Sequence, residues 1–255
     1  MAGNLHTLVR DLQRRKAREK RELVVAEGRR LVEDALGSGL TTRGVIVAED
    51  AQADAAKLAA DAEQKGIAVE RATRKEFAEL ADTDTPSGIL AVVEWSPASL
   101  DTLPHHGSER LLLVLDAVQD PGNVGTMIRT AFALGAWATV ALDGTADVRN
   151  PKVIRGSMGA LFRHPVATAT MDELLGWDGT SSRMFVLATM DGQPLRRGEA
   201  LARPALVIGS EGHGVRDAWD GVLPAPRRVA IPMAKGAESL NAAVAAGILL
   251  YEMTR

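Results

Sequence analysis

Two polar residues with chemical potential stand close together between a strand-like run and a helix-like segment. Asn123 lies in the turn "DAVQDPGN", and Arg129 follows six residues later with helical spacing. An arginine guanidinium offers several donors in a rigid fork, which suits a phosphodiester. Asn123 could instead only cap the helix, and Arg129 could be a surface cation. The pair alone is compatible with a phosphate or sugar site and with a structural turn.

A second candidate loop, "LVIGSEGHGV", carries three glycines directly after an apolar run. Glycines there let backbone amides approach a ligand closely, as in nucleotide-binding turns. The spacing is neither a Rossmann fingerprint nor a P-loop. Glu211 would repel phosphate, so the loop favours an adenosine-type or cationic ligand. His213 is either a base or, as is commoner for a polar loop histidine, structural.

The third candidate loop, "AIPMAKGAESLN", precedes an Ala-rich final segment. Ser239 is predicted to cap the helix formed by that segment. Leu240 is predicted to be a core residue. Asn241 falls in the first turn, where an amide is a poor helix former and could equally serve a ligand.

The elements that must position these loops alternate between apolar strand-like runs and helical spacing, which predicts an α/β protein. In the first half the predicted strands are 23–28, 44–50, 67–72 and 88–95, and the predicted helices lie near 29–37, 51–64 and 74–82. In the second half the predicted strands are 110–116, 138–142, 184–189, 205–210 and 227–233, and the predicted helices 124–135, 151–160, 213–220 and 239–253. The stronger runs of the second half fit a parallel sheet covered on both faces. Ligands of such sheets bind at the carboxyl ends of strands, which is where the three loops fall.

Composition excludes several classes of function. The chain has no cysteine, and its five histidines have no metal-like spacing with carboxylates, so no metal site is expected. No apolar run approaches the roughly 18 to 20 residues of a membrane span, and the polar, basic start lacks a signal-peptide core. These features predict a cytoplasmic, soluble protein.

The charge of the chain is unevenly distributed. The net charge is −3, yet residues 1–30 hold nine Lys or Arg against four acids, a local charge of +5. On the charge run alone, a solvated helix face is favoured over a phosphate-binding surface.

Taken together, the three loops resemble the ordered signature motifs of the SpoU (TrmH-like) family of RNA ribose 2′-O-methyltransferases. "NPKVIRGSMGALFRHPV" is similar to the segment that the family has between the first two motifs. Upstream, "RRKAREKRELVVAEGRRLVEDAL" is similar to the family's amino-terminal substrate-binding domain, and that similarity reverses the preference for a merely solvated basic helix.

The resemblance implies a domain organisation and a fold. Residues 1–95 would form an L30e-like RNA-binding domain, 96–109 a linker, and 110–255 a SPOUT-type α/β methyltransferase domain. Its parallel sheet would end in a deep trefoil knot, an exception to the usual absence of threaded connections. The resemblance also implies a homodimer with the site at the interface.

The resemblance further implies roles for individual residues. S-adenosylmethionine would be bound, largely through backbone groups, at Gly209, Ile231 and Leu240. Further contacts would come from Thr189, Glu211, Met233 and Asn241. The catalytic positions would be Asn123, Arg129, Glu211, Ser239 and Asn241. RNA would contact Arg129 and the cations Arg14, Arg15 and Arg18. Lys235 stands where the family often has a small residue.

The implied activity is S-adenosylmethionine-dependent methylation of a ribose 2′-hydroxyl. Because a separate amino-terminal domain precedes the motifs, 23S ribosomal RNA is favoured as the target. Two alternatives stay open: a tRNA 2′-O-methyltransferase, which would share the motifs, and a non-catalytic RNA-binding protein that retains the fold.

Overall fold

The structure is a computed structural model that describes residues 5–104, 109–195, 199, 201–222 and 224–254. The chain divides into two compact units. Unit 1 comprises Met1–Ser96 with Arg149–Arg163, and unit 2 comprises Pro97–Val148 with His164–Arg255. The predicted second domain, 110–255, includes residues 149–163, whereas the contacts of the structure group that segment with unit 1.

Helices and strands alternate through most of the described chain. The α-helices are α1 (Leu5–Leu12), α2 (Arg15–Arg21), α3 (Arg29–Gly37), α4 (Ala53–Gln64), α5 (Arg74–Leu80), α6 (Pro121–Ala133), α7 (Pro151–Ser157), α8 (Met171–Gly176) and α9 (Ala242–Met253). The strands are β1 (Leu23–Glu27), β2 (Thr42–Ala48), β3 (Val69–Ala72), β4 (Ile89–Glu94), β5 (Leu112–Asp116), β6 (Ala138–Leu142), β7 (Val166–Ala169), β8 (Met184–Gln193), β9 (Pro204–Gly209) and β10 (Arg227–Val229).

Unit 1 is built on a four-stranded mixed sheet. Its strand order is β1-β4-β2-β3, with β4 antiparallel to both neighbours and β3 parallel to β2. One side of the sheet is covered by a core that includes Ile46, Phe77 and Leu90. The segment 149–163 belongs to this unit because α7 packs against β1 and Arg163 pairs with Asp34.

Unit 2 is built on a six-stranded sheet in the order β10-β8-β9-β5-β6-β7, and every neighbouring pair is parallel. All residues of β5, β6 and β9 are buried, as expected for a sheet with both faces covered. On one face the core includes Leu112, Val140, Val207 and Trp219. The helices α6 and α9 pack against each other, and α9 also contacts β9.

Several predicted elements of unit 2 differ from the observed ones. The predicted helix at 213–220 is a short 3-10 helix, Asp217–Gly221. The predicted strand 227–233 ends at Val229, where the next residues lead to Pro232, which has no amide hydrogen to donate. The short elements β7 and α8 were not predicted, because the four-residue "VATA" gives a weak periodic signal. No helix within the described residues combines the length and apolar character needed to cross a membrane.

Candidate active site

The turn after β5 begins α6 three residues earlier than predicted. Asp120 is the N-cap, its side chain accepting a hydrogen bond from the backbone N of Asn123 at 2.8 Å, and Pro121 occupies the first turn. Proline suits that position because its missing amide hydrogen would have no helical partner. The prediction that Asn123 caps the helix is therefore wrong. Its side-chain amide is free for other contacts.

The Asn123 network, formed by Asn241, Asn123 and Glu211, joins the three candidate loops. Asn241 Nδ2 donates to Asn123 Oδ1 at 3.0 Å, and Asn123 Nδ2 donates to Glu211 Oε1 at 2.7 Å. The backbone N of Gln119 also donates to Glu211 Oε2, at 3.4 Å. Residues separated by about half of the chain therefore meet at one place.

Hydrogen bonds at the start of α9 determine which group donates at each link of the Asn123 network. Asn241 Oδ1 accepts hydrogen bonds from the backbone N of Ala243 and Val244, so Asn241 is the N-cap of that helix. Its amide nitrogen must then face Asn123, whose own amide nitrogen faces the carboxylate. Ser239, which was predicted to be the cap, is exposed in the preceding loop.

Arg129 is exposed on α6, six residues after Asn123. Its guanidinium forms no hydrogen bond or ion pair with any residue that the structure describes. A cation in this condition is available to an external anion such as a phosphate.

A cleft of about 770 Å³ opens beside the network in unit 2. The residues predicted to bind a cofactor all line it: Thr189, Gly209, Glu211, Ile231, Met233, Leu240 and Asn241. Ser239 and His213 line it as well, and the backbone N of His213 donates to Ser210 Oγ at 3.2 Å. The structure therefore brings the predicted cofactor residues together around one space. Leu240, predicted to be core, is 39% exposed at its edge.

Two features of the cleft suit a bound nucleoside-type ligand. Thr189 Oγ1 is buried and has no hydrogen-bond partner within the described part of the chain, although a buried hydroxyl is normally satisfied. Gly209 leaves no space for a side chain, since an added Cβ would lie 2.0 Å from the carbonyl carbon of Gly214. An unsatisfied hydroxyl and a tight, backbone-lined wall are the features that an adenosine-type ligand could use.

The Asp116 cluster, formed by Asp116, Arg216, Trp219 and Asp143, was not predicted from the sequence. Asp116 is fully buried at the end of β5 and accepts hydrogen bonds from Arg216 N, Arg216 Nε and Trp219 Nε1, at 2.9, 2.5 and 2.9 Å. Arg216 Nη1 also donates to Asp143, at 2.9 Å. Burial alone would lower the pKa of Arg216, but the hydrogen bonds and charges of Asp143 and Asp116 outweigh that effect and raise it. An acidic residue ending an apolar strand was the available signal.

The sequence of the chain matches the profiles of two known protein families. The profile of the SpoU rRNA Methylase family matches residues 110–251, more than half of the chain. The protein belongs to the SpoU rRNA methylase family. A second profile, described as the MRM3-like substrate binding domain, matches residues 8–91 of this SpoU methylase. The predicted family is therefore confirmed.

Individual relatives of the SpoU methylase agree with the profiles. It is 35% identical over 246 residues to the 23S rRNA (guanosine(2553)-2′-O)-methyltransferase RlmP of Bacillus subtilis, covering 95% of this chain and 92% of the relative. The crystal structure of an AdoMet-bound rRNA methyltransferase from Sinorhizobium meliloti superposes with a TM-score of 0.83 at 28% identity, covering 99% and 94% of the two chains. The SpoU methyltransferase AviRb of Streptomyces viridochromogenes, in complex with AdoMet, gives a TM-score of 0.84 at 26% identity, covering 99% and 98%. The predicted SPOUT-type α/β fold is confirmed by these superpositions.

The predicted RNA-binding cations of the SpoU methylase differ in their environments. Arg18 is buried, and its Nη1 donates to the carbonyl oxygens of Leu12 and Gln13 at 3.0 and 2.8 Å. It therefore stabilises the end of α1 and is not accessible to RNA. Arg14 and Arg15 are exposed, but they pair with Asp11 and Glu19.

Throughout the described ranges, no group of three or more His, Asp or Glu side chains is arranged to hold a metal ion. Two of the five histidines, His105 and His106, lie outside the described residues.

Proposed function

We propose that this SpoU family member transfers a methyl group from S-adenosylmethionine to a ribose 2′-hydroxyl of 23S ribosomal RNA. The observation that carries the proposal is the Asn123 network, which joins the three motif loops beside one cleft. The relative named as a 23S rRNA 2′-O-methyltransferase supports both the reaction and the RNA, and the AdoMet-bound neighbours support the cofactor.

The cleft residues fit the proposed cofactor. Thr189 Oγ1 supplies a buried hydroxyl without an internal partner, while Gly209, Ile231 and Leu240 contribute lining at which backbone groups can bind. Glu211, Met233 and Asn241 also line the cleft. When bound, S-adenosylmethionine supplies a methyl group already activated by its sulfonium. Most of the catalytic task left to the protein is then proximity and alignment.

Arg129 has the central part in that alignment. Its unpaired guanidinium binds the phosphate next to the target ribose and orients the 2′-hydroxyl, which loses its proton as the new bond forms. Because a guanidinium stays protonated near neutrality, it is a poor general base. The proton goes to the phosphate, to water or to a transiently neutral Arg129. Asn123 positions Arg129 or the ribose, and Ser239 and Asn241 order the loop between β10 and α9.

The experiment that tests the proposal is incorporation of labelled methyl into RNA. Arg129→Ala is expected to abolish transfer while leaving cofactor affinity within about twofold, because no cleft contact is removed. Arg129→Lys keeps the charge but loses the fork, so it should retain only part of the activity. Full activity in Arg129→Ala would remove Arg129 from the proposed mechanism.

The same assay separates the alternatives. Methylation of 23S ribosomal RNA but not of tRNA from a strain lacking this gene supports the proposed target, and the reverse result supports the tRNA enzyme. Absence of transfer together with retained RNA binding would support the non-catalytic RNA-binding protein. The intact Asn123, Arg129 and Asn241 argue against that last alternative. Because the relatives named as 23S rRNA methyltransferases are bacterial, we propose that the enzyme acts in the cytoplasm.

We infer that unit 1 contributes the RNA-binding surface, with α2 as part of it. Arg14 and Arg15 are exposed there, as are Lys16 and Lys20, whereas Arg18 no longer belongs to the proposed contact set. The organisation proposed is an RNA-binding domain over residues 1–95, a linker at 96–109 and the methyltransferase domain from residue 110. The family profiles at 8–91 and 110–251 support that order.

Charge reversal tests this surface. Arg14→Glu with Arg15→Glu should weaken RNA affinity and flatten its salt dependence, because fewer counterions are released. Lys57→Glu on α4 together with Lys65→Glu at its C-cap makes the same change of charge elsewhere in unit 1. Equal losses in the two double variants would indicate a general charge effect and would remove α2 from the proposed surface.

We also infer a homodimer, mediated by the outer face of α9. The apolar stripe consists of Val244, Ile248 and Tyr251 on α9 and of Leu240 just before it, and these residues are 39 to 51% exposed. An exposed apolar face on a helix favours a partner surface. Val244→Asp with Ile248→Asp should convert a dimer to a monomer in analytical ultracentrifugation; an unchanged mass, or a monomeric wild type, would refute this interface.

We also propose that the carboxy-terminal segment forms a trefoil knot. β10 pairs with β8 at the sheet edge, whereas the following α9 packs back on β9 and α6. β8 and β10 lie close together before that helix: an added Cβ at Gly192 would lie 2.5 Å from the backbone of Val229. This path supports threading of the carboxy-terminal segment.

A further inference from the structure

The loop from Gly209 to Arg216 forms one wall of the cleft, and both of its ends are fixed. At its first end, β9 pairs with β5 up to Gly209 opposite Asp116. Within the loop, Ser210 and Gly214 exchange two backbone hydrogen bonds of 2.9 Å, which close a tight turn with Glu211 at its exposed tip. At its second end, the backbone N of Arg216 donates to Asp116 Oδ2.

Asp116 therefore determines where the second end of this wall lies. Its carboxylate is fully buried, and a buried charge is tolerated only when it is paired and hydrogen-bonded. The described donors to it are the backbone and Nε of Arg216 and the indole of Trp219. Because Arg216 donates to the two oxygens of this carboxylate through its backbone N and its Nε, the backbone of residue 216 cannot shift without breaking a charge-assisted pair.

The effect reaches the Asn123 network through Glu211. The Glu211 carboxylate receives Asn123 Nδ2 at 2.7 Å and is carried by the turn that Asp116 positions. The loop has few other contacts that would orient it, since Glu211, Gly212 and His213 are all exposed. Trp219 then packs against Phe185, with ring centroids 5.1 Å apart, and connects the cluster to the core beneath.

We infer that Asp116, Arg216 and Trp219 are positioning residues for cofactor binding, which set the Gly209–Arg216 wall of the cleft and, through Glu211, orient Asn123. This inference rests on the proposed function. None of the three touches the reacting atoms in the proposal, so their loss should weaken cofactor affinity more than it slows transfer at saturation.

The test measures cofactor affinity by titration calorimetry with S-adenosylmethionine, together with kcat and KM for cofactor and RNA. Asp116→Asn is expected to raise the cofactor Kd and KM about tenfold or more, because it weakens a charge-assisted pair that positions the wall. The KM for RNA should stay within about twofold. Asp143→Asn, which removes only the more exposed contact of Arg216, should raise the cofactor Kd about twofold.

A matched control distinguishes positioning from a general loss of stability. Asp34 pairs with Arg163 in unit 1 and is 19% exposed, so Asp34→Asn removes a comparable carboxylate charge away from the cleft. It should leave the cofactor Kd unchanged. An equal rise in Kd for Asp34→Asn and Asp116→Asn would overturn the inference.

A second variant keeps the test decisive where Asp116→Asn does not fold. Arg216→Lys retains the charge but loses Nε and the fork, so it should raise the cofactor Kd about fivefold or more in a folded protein. Wild-type Kd and KM in either folded variant would refute the positioning role. A wild-type protein that binds no S-adenosylmethionine would instead refute the proposed function.

Discussion

The Asn123 network and the Asp116 cluster lie on either side of the turn between β5 and α6, and they differ in burial. Asp116 is fully buried and ion-paired, whereas Glu211 and Asn241 are exposed. Exposed hydrogen bonds contribute little to stability because water competes for them, but a buried carboxylate that loses its partners is costly. Unit 2 thus has a buried cluster whose disruption should lower stability as well as move the cleft wall, and an exposed network whose disruption should change the geometry at the cleft with little loss of stability.

The largest expected effect on stability comes from disrupting the buried Asp116 cluster. Among the described residues, Arg216→Ala leaves Trp219 as the one side-chain donor to the buried Asp116 carboxylate. We expect the free energy of unfolding to fall by about 3 kcal/mol or more. Chemical denaturation of wild type and variant measures the difference. Glu211→Gln, on the exposed side, should change it by less than about 1 kcal/mol; equal losses would contradict the comparison.

His164 is a second buried polar residue, and it makes the stability of unit 2 depend on pH. Burial lowers the pKa of His164 to about 4, and the charge of Arg110 acts in the same direction. The neutral ring is hydrogen-bonded to the buried hydroxyl of Thr139, at 2.9 Å. As the pH falls from about 6.5 to 4, the unfolded chain binds a proton at this histidine before the folded protein does, so stability is lost. The loss should approach 3 kcal/mol, on the order of the shift in pKa.

The measurement is urea denaturation of wild type and His164→Gln at a series of pH values. The glutamine does not titrate, so the difference between the two unfolding free energies should shrink or reverse between pH 7 and pH 4. Parallel pH dependence in both proteins would show that His164 is not responsible.

The exposed network should show the opposite balance, with a small effect on stability and a large effect on activity. Asn123→Asp places a second carboxylate against Glu211, so the two repel and the network opens. Methyl transfer should fall about 100-fold, since small displacements of catalytic groups have effects of that size. The free energy of unfolding should change by less than about 1 kcal/mol.

A compensating variant tests the direction of the network. Adding Glu211→Gln to Asn123→Asp restores a donor facing a carboxylate, with donor and acceptor reversed at that link. Methyl transfer should recover by about tenfold relative to Asn123→Asp alone. Absence of any recovery would indicate that Glu211 acts through its charge and not through this hydrogen bond.

Much of the fold was predictable because the strands of unit 2 are long apolar runs. The prediction for 138–142 matches β6 exactly in its bounds, and 205–210 differs from β9 by one residue at each end. Short elements such as β7 were missed, because four residues of Ala, Val and Thr carry little periodicity. The predicted starts of α6 and α9 are wrong because each helix has two candidate caps that are equally good by residue type. The candidates are Asp120 and Asn123 for α6, and Ser239 and Asn241 for α9.

The candidate site was predictable only as a set of residues, through resemblance to a family. The second and third loops line the cleft, and the first is joined to them by Asn123. Spacing could not show that Asn241 donates to Asn123 and Asn123 to Glu211. Nor could it show the partner of Asp116, which lies 100 residues further along the chain. Arg18 looked like its exposed neighbours in the sequence, and only the helix geometry shows that it is buried.

Asn241 has two structural duties at once, as the N-cap of α9 and as a donor in the Asn123 network. A survey of random substitutions that scores cellular abundance and methylation separately should therefore respond differently at two positions. Position 241 should fail in both scores, since the cap and the network are lost together. Position 129 should fail in methylation alone. Substitutions at Arg129 can therefore change activity without altering the fold, whereas substitutions at Asn241 change folding and activity together.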